Sequence, residues 1–321
     1  MNINNKSGVA LILVLWVIAI MMIIAFSFSY SMKTEAKIAS NYKKLSQAYY
    51  YARAGVNHAI LDLLLRCQGE KENRFNISGI PETLSWDEGG YNIIIKDEGA
   101  KFNLNKMNAK QLRDIFSKCD LKKEEVDIIV DSILDWRDKD ELHRLNGAES
   151  DYYQTLDPPY SCKNGNFDTI GELLLVKGIT PEIYHNLELE DIFTVFGHSS
   201  KININSASKK VLSLVPGMTD EMIDKIISAR NEKEFTHINE LIPIIGMNAY
   251  RTVYRYLTTS LTYYFSIISV GWIHGLRMGR AIKTTIKITP KQKEKYKILY
   301  WHDEKIYERA LNDIFSKRAW H

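Results

Sequence analysis

The chain has only three cysteines in 321 residues, Cys67, Cys119 and Cys162, too few for a disulfide scaffold. If the body lies outside the cytoplasm, Cys119 and Cys162 are available to pair. Three free buried thiols fit the sequence equally. Formal net charge is only +3, so composition gives no sign of a nucleic-acid partner. His-Glu-x-x-His, Gly-x-Ser-x-Gly and the phosphate loop are all missing. The eight histidines are scattered, and His143, His185, His198 and His237 read as surface or satisfied core residues. No catalytic constellation emerges.

The most informative absence is of charge. Val9 to Met32 carries none. These roughly 24 residues make about 36 Å of helix, enough to cross a bilayer with some tilt. The run is too long for a cleaved secretory signal and lacks a small-x-small site after it. A simple signal anchor and a prepilin-type leader both remain. The second fits the short polar start, with Lys6 and then Ser7-Gly8 against Val9. Lys33, Lys37, Lys43 and Lys44 outnumber Lys6 across the run. By the positive-inside rule alone the body would stay in the cytoplasm; the short leader argues the other way.

Beyond the run, Ile38, Tyr42, Leu45, Tyr49, Ala52, Val56, Ile60 and Leu63 recur at spacings of three and four. With no proline to interrupt it, one helix is predicted to continue to about Cys67. Its second half is expected to pack on the chain's own domain, leaving the first half for partner helices.

Tyr91 to Glu98 reads as a strand, β-branched and bounded by glycines. Helical periodicity then runs from Asn108 to about Leu257, with short helices at Ala109–Phe116, Val126–Trp136, Thr169–Val176 and Pro181–Leu187. Strand signals return at Thr258–Val270, Ala281–Ile288 and Tyr296–Trp301. The expectation is an α+β fold: a long N-terminal helix and a pilin-like α/β domain split by a large all-helical insertion. An internal echo is visible. Lys101-Phe102-Asn103-Leu104-Asn105 returns as Lys201-Ile202-Asn203-Ile204-Asn205, each followed by a turn and a helix. Two related helical units are expected, the first carrying a long insertion.

Two segments carry recognisable chemistry. Asp135, Asp138, Asp140, Glu149 and Asp151 crowd one aperiodic stretch. Clustered carboxylates repel unless a cation joins them, and hard oxygen ligands suit calcium. The spacing is not that of an EF-hand. The alternative is a solvated acidic loop paired locally with Arg137, Lys139 and Arg144. The second segment, Leu214 to Asn248, is helix-hairpin-helix-like around Pro216-Gly217 and Ile245-Gly246. Thr219 and Asn248 replace the second glycine of each hairpin, and Asp220, Glu221, Asp224, Glu232 and Glu234 offset Lys225, Arg230 and Lys233. A phosphate-binding face should be basic, so this module reads as a packing or protein-interaction unit.

Taken together, these segments resemble the K-type minor pseudopilins of type II secretion systems. The resemblance rests on Lys6-Ser7-Gly8 before the apolar run, Asp97-Glu98-Gly99-Ala100-Lys101-Phe102-Asn103-Leu104-Asn105, Ile133-Leu134-Asp135-Trp136-Arg137-Asp138, Asn146-Gly147-Ala148-Glu149-Ser150-Asp151-Tyr152-Tyr153 and Asn164-Gly165-Asn166-Phe167-Asp168. It extends to about Ile288. It implies cleavage after Gly8 by a prepilin peptidase, methylation of Val9, and a single-pass inner-membrane anchor in lipid with the body in the periplasm. It also implies I-type and J-type minor pseudopilin partners at a pseudopilus tip, no nucleic acid, no enzymatic activity, and calcium in the helical, SAM- or helix-hairpin-helix-like insertion. Most pilin-like subunits carry Glu at the fifth mature position. Leu13 stands there instead, as suits a tip subunit with no neighbour ahead.

The implied organisation is a leader (1–8), a membrane helix (9–32), the first part of the pilin-like domain (33–107), a helical insertion (108–257), the last strands (258–303) and an extension (304–321). Ile306, Ala310, Leu311, Ile314 and Phe315 suggest an amphipathic helix in that extension. The competing functions are a membrane-anchored helix-hairpin-helix DNA-binding protein of competence type and a metal-dependent enzyme using the acidic loop.

Overall fold

The computed structural model describes residues 6–69 and 75–307. Helix α1 (Lys6–Cys67) is followed by strands β1 (Glu82–Ser85), β2 (Gly89–Asp97) and β3 (Phe102–Asn103), then helices α2 (Ala109–Phe116) and α3 (Lys123–Arg137). After further short helices come β4 (Phe193–Thr194), β5 (Ile202–Asn203), β6 (Leu257–Thr258), β7 (Tyr264–Ile273), β8 (Met278–Ile288) and β9 (Tyr296–Tyr307). The fold is α+β, as expected.

Helix α1 ends at Cys67, where the apolar stripe ends. Its start is long and apolar enough to cross a membrane, and none of that window is buried by the other described residues. Further along, Ala48, Ala52, Val56, Ala59, Ile60 and Leu63 are buried against the sheet. One continuous helix thus has a bare half and a packed half.

The main sheet is antiparallel, in the order β1-β2-β7-β8-β9. Tyr91, Ile93, Ile95, Phe265, Ile267, Ile282 and Ile286 form one core with α1. Contact is tightest at Gly271: a Cβ there would strike the Ala48 carbonyl and the Ala52 amide of α1. Strands β2 and β7 are neighbours in space, with Ile93 opposite Ser269 and Ile95 opposite Ile267. The whole helical body lies between them in sequence.

That insertion is longer than periodicity suggested. Residues 102–105 leave the sheet, and Leu257–Thr258 pairs with β5 rather than joining β7. The ladder resumes only at Tyr264, after Tyr263 in a left-handed conformation (φ 63°). At the other end, β9 runs to Tyr307, so the boundary placed at 303/304 falls inside a strand. Arg280–Asp303 (2.7 Å) and Lys283–Glu304 (3.2 Å) pair across β8 and β9 and carry the ladder on. Ile306 is therefore in a strand, not a helix; Ala310, Leu311, Ile314 and Phe315 lie outside the described residues. Strand β1, in a turn-rich segment, was not anticipated.

The sequence echo is a structural duplication. In the first unit, β3 pairs in parallel with β4; in the second, β5 pairs in parallel with β6. Leu104 N donates to Thr194 O at 2.9 Å, and Ile204 N to Thr258 O at 2.9 Å. Asn103 Oδ1 accepts from Asn105 N, and Asn203 Oδ1 from Asn205 N. Arg137 donates to Leu104 O and Met107 O; Arg230 donates to Ile204 O and Ala207 O. Backbone carbonyls inside a core need partners, and each unit uses one arginine to serve two. The units differ in one loop. Arg137 and Phe167 are thirty positions apart, whereas Arg230 and Phe235 are five apart. The acidic stretch lies in that added length.

Asp97 and Glu98 lock both units to the sheet. Asp97, fully buried, accepts from Asn203 Nδ2 and Ser206 Oγ (both 2.8 Å), Gly99 N and Thr262 Oγ1. Glu98 accepts from Thr194 Oγ1 and Ser266 Oγ (both 2.6 Å) and pairs with Lys101. Burial holds the Asp97 carboxyl above its ordinary value, with its hydrogen bonds pulling it back. Burial acts the same way on Glu98, but Lys101 and the two hydroxyls bring it below the ordinary value.

Candidate metal centre

Helix α3 delivers Asp135 at its C-terminal end and Asp138 as its cap residue. The chain then loops through 139–148 and returns Glu149 to the same place, just before the helix Ser150–Tyr153. Oxygens of Asp135, Asp138 and Glu149 all lie within 4.8 Å of one another. Asp135 and Glu149 are buried, at 0% and 1% exposure; Asp138 is partly open to solvent. Gly147 lets the loop close this tightly, since a Cβ there would run into Asp135 Oδ2.

Charge is only half satisfied. Arg144 Nη1 bonds Asp135 Oδ1 and lies 2.6 Å from Asp138 Oδ2. Its backbone amide also donates to both Asp135 oxygens. Among the described residues, both Glu149 oxygens and Asp138 Oδ1 are buried with no hydrogen-bond partner. The Cys162 thiol lies beside Glu149, but its Sγ is directed to Asp135 O at 3.8 Å. Burial raises Glu149 to about 7; the Cys162 thiol draws it down, and Asp135, Asp138 and Glu141 add to the rise. Burial also raises Asp135 against the opposing pull of Arg144.

An orphaned buried carboxylate facing two others is costly unless protonated or joined by a cation. Three carboxylates offering only oxygen suit a hard divalent ion such as calcium. The residues present therefore fit a hard cation such as calcium, and Asp135, Asp138 and Glu149 are the side chains that could hold it.

Of the five expected carboxylates, three converge and two do not. Asp140 is exposed and accepts from Leu142 N at 2.9 Å, a local turn that aims it away. Asp151 is exposed on the first turn of Ser150–Tyr153, bonded to the Tyr152 amide. Sequence reasoning passed over Glu141, which ties Ser150 and Asn164 together and braces the loop. Arg137 pairs with backbone carbonyls, not with the acidic loop.

The cysteine pairing is corrected: Cys119 and Cys162 are both free. Cys119 turns back to Ile115 O at the end of α2, while Cys162 is committed beside Glu149 and Asp135. The four named histidines are exposed. Gly8 and Val9 lie within α1, and Leu13 is exposed on its uncovered half. In the hairpin module, Thr219 Oγ1 caps the helix Asp220–Glu232 through Met222 N, and Asn248 O accepts from Thr252 Oγ1.

Comparison with known proteins fits this division. Residues 73–189 match the family described as type II secretion system (T2SS), protein K, and residues 197–254 match a helix-hairpin-helix motif. The first match holds the unit with the acidic loop; the second holds the unit without it. Type II secretion system protein K of Pseudomonas aeruginosa is 27% identical over 280 residues, covering 79% of this chain and 83% of that protein. The protein of the same name from Aeromonas hydrophila is 27% identical over 208 residues, covering 57% and 62%. Among solved structures, a chain of the GspK-GspI-GspJ complex from the enterotoxigenic Escherichia coli type 2 secretion system matches with a TM-score of 0.60 at 16% identity. That match covers 83% of this chain and 99% of that one. The chain thus carries a type II secretion system protein K domain followed by a hairpin module, and it is similar to type II secretion system protein K over most of its length.

Proposed function

We propose that this chain is a K-type minor pseudopilin that caps the tip of a type II secretion pseudopilus and starts or regulates its assembly. Its work is structural rather than enzymatic. It is cut by a prepilin peptidase between Gly8 and Val9, methylated on Val9, and held in the inner membrane with its body in the periplasm. It assembles with I-type and J-type minor pseudopilins, by analogy with the GspK-GspI-GspJ complex whose chain shares its fold. The acidic loop holds calcium through Asp135, Asp138 and Glu149, which fixes the loop on the first helical unit.

The observation that carries this reading is the division of α1. Its first half is bare and its second half carries a sheet with a large helical body inserted between β2 and β7. A bare apolar helix needs lipid and partner helices to cover it. Leu13 supports the tip position, because an unpaired carboxylate in lipid is costly. The test is co-expression of the full chain with a prepilin peptidase and the two partner pseudopilins. A product beginning at methylated Val9 that co-purifies as a ternary complex is expected. A chain still beginning at Met1 and remaining alone would overturn the reading.

The hairpin match at 197–254 favours a second reading, a membrane-anchored DNA-binding protein. Against it stand the Thr219 cap and the acidic first turn, Asp220 and Glu221. Salt-dependent DNA binding by the full chain would revive it.

A further inference from the structure

Arg144 occupies the ground that a divalent cation would take. One nitrogen, Nη1, bridges Asp135 and Asp138, two of the three carboxylates of the centre. Glu149 is left unserved, with both oxygens buried. A single guanidinium thus answers three carboxylates and satisfies two.

The arginine is also built to leave. Its backbone amide holds both Asp135 oxygens at 3.3 and 3.1 Å independently of the side chain. Releasing the guanidinium does not detach the loop. The side chain is 39% exposed, so its way out to water is open. Arg137 cannot take over, being committed to the carbonyls of Leu104 and Met107. Leu142 and Leu145, at 79% and 92% exposure, flank Arg144 in the chain.

We propose that Arg144 is a tethered cation that holds the ion-free centre together and competes directly with calcium for Asp135 and Asp138. This rests on reading the three carboxylates as a calcium centre. Arg144 and the ion exclude each other, because both need the same oxygens. Ion entry moves a positive charge out to the surface between Leu142 and Leu145. Arg144 therefore lowers calcium affinity while protecting the empty site from carboxylate repulsion, so removing its charge has opposite effects on the two states.

The experiment uses the full chain in detergent, as wild type, R144Q and R144K. Calcium affinity is measured by equilibrium dialysis, and melting temperature in excess EGTA. R144Q is expected to bind calcium about tenfold more tightly, which corresponds to about 1.4 kcal/mol. It is also expected to melt lower than wild type in EGTA. R144K keeps the charge and is expected to stay near wild-type affinity. Equal or weaker binding by R144Q overturns the competition while leaving the centre in place. Tightening by R144K as large as that by R144Q also overturns it. If no variant binds calcium, the calcium reading falls and the competition with it.

Discussion

Asn105 and Asn205, one hundred positions apart, each clasp a phenylalanine backbone by the same two hydrogen bonds. Asn105 accepts from Phe167 N and donates to Phe167 O, both at 2.9 Å. Asn205 accepts from Phe235 N and donates to Phe235 O, also at 2.9 Å. The clasp closes the loop after the long helix of each unit. The second loop is four residues between Arg230 and Phe235; the first is the whole acidic segment.

Breaking a clasp strands an amide and a carbonyl that are shielded from water. Asn205→Ala is expected to destabilise the chain by about 1–3 kcal/mol in denaturant unfolding. Asn105→Ala should cost a similar amount and, in addition, weaken calcium binding, because Phe167 ends the loop that bears Glu149. Unchanged calcium affinity in a folded Asn105→Ala chain would show that the clasp does not support the centre.

Glu149 is the proposed ligand whose two carboxylate oxygens are both buried and unserved by Arg144. Calcium at a hundred times its dissociation constant should stabilise the wild type by about 2.7 kcal/mol. Glu149→Gln should lose most of that gain while remaining folded in EGTA, since an amide relieves the buried charge. A full calcium-induced rise in melting temperature in Glu149→Gln would remove Glu149 from the ligand set.

Proton linkage gives a sign that can be checked without calcium. Glu149 is raised from an ordinary 4.5 to about 7, so the folded chain keeps its proton when the unfolded chain has lost it. Stability from this group is intact below about 4.5 and declines as pH rises to about 7, by on the order of 3 kcal/mol. Calcium requires the ionised form, so its stabilising effect should grow over the same window. Melting curves in EGTA from pH 4.5 to 8, for wild type and Glu149→Gln, separate this group from the rest. Parallel pH profiles for the two chains would contradict the linkage.

Gly271 sets how closely α1 approaches the sheet. Gly271→Ala drives a methyl group into the backbone of Ala48 and Ala52, which cannot rotate aside. A loss of at least about 1–3 kcal/mol is expected. Faster hydrogen exchange should be confined to the sheet-packed half of α1 and to β7. Wild-type exchange there would mean that the helix shifts without cost.

Local pattern made much of this legible. The three-four stripe gave the end of α1 at Cys67, β-branched runs gave β2, β7 and β8, and the Asn103 and Asn203 echo gave the duplication. Contacts made at a distance were not legible. Asp140 and Asp151 look like ligands in a list of carboxylates, but each is consumed by an amide one or two residues away. Arg144 looks like an ordinary loop arginine until the chain folds it over Asp135. The strand signal of β9 stops at Trp301, whereas the ladder runs on through polar His302–Lys305, two of which pair with charges on β8. Glu82–Ser85 is too short to announce itself beside the glycines that precede β2.

The duplicated unit carries its own control experiment. Residues 231–234 do in the second unit what 138–166 do in the first, between an arginine serving two carbonyls and a phenylalanine held by an asparagine. Nature has thus supplied, within one polypeptide, the same joint with and without the acidic loop. Grafting Asn231-Glu232-Lys233-Glu234 between Arg137 and Phe167 would give a chain whose two units share one connection length. Any property lost in it belongs to the graft site, and what persists belongs to the scaffold that both units share.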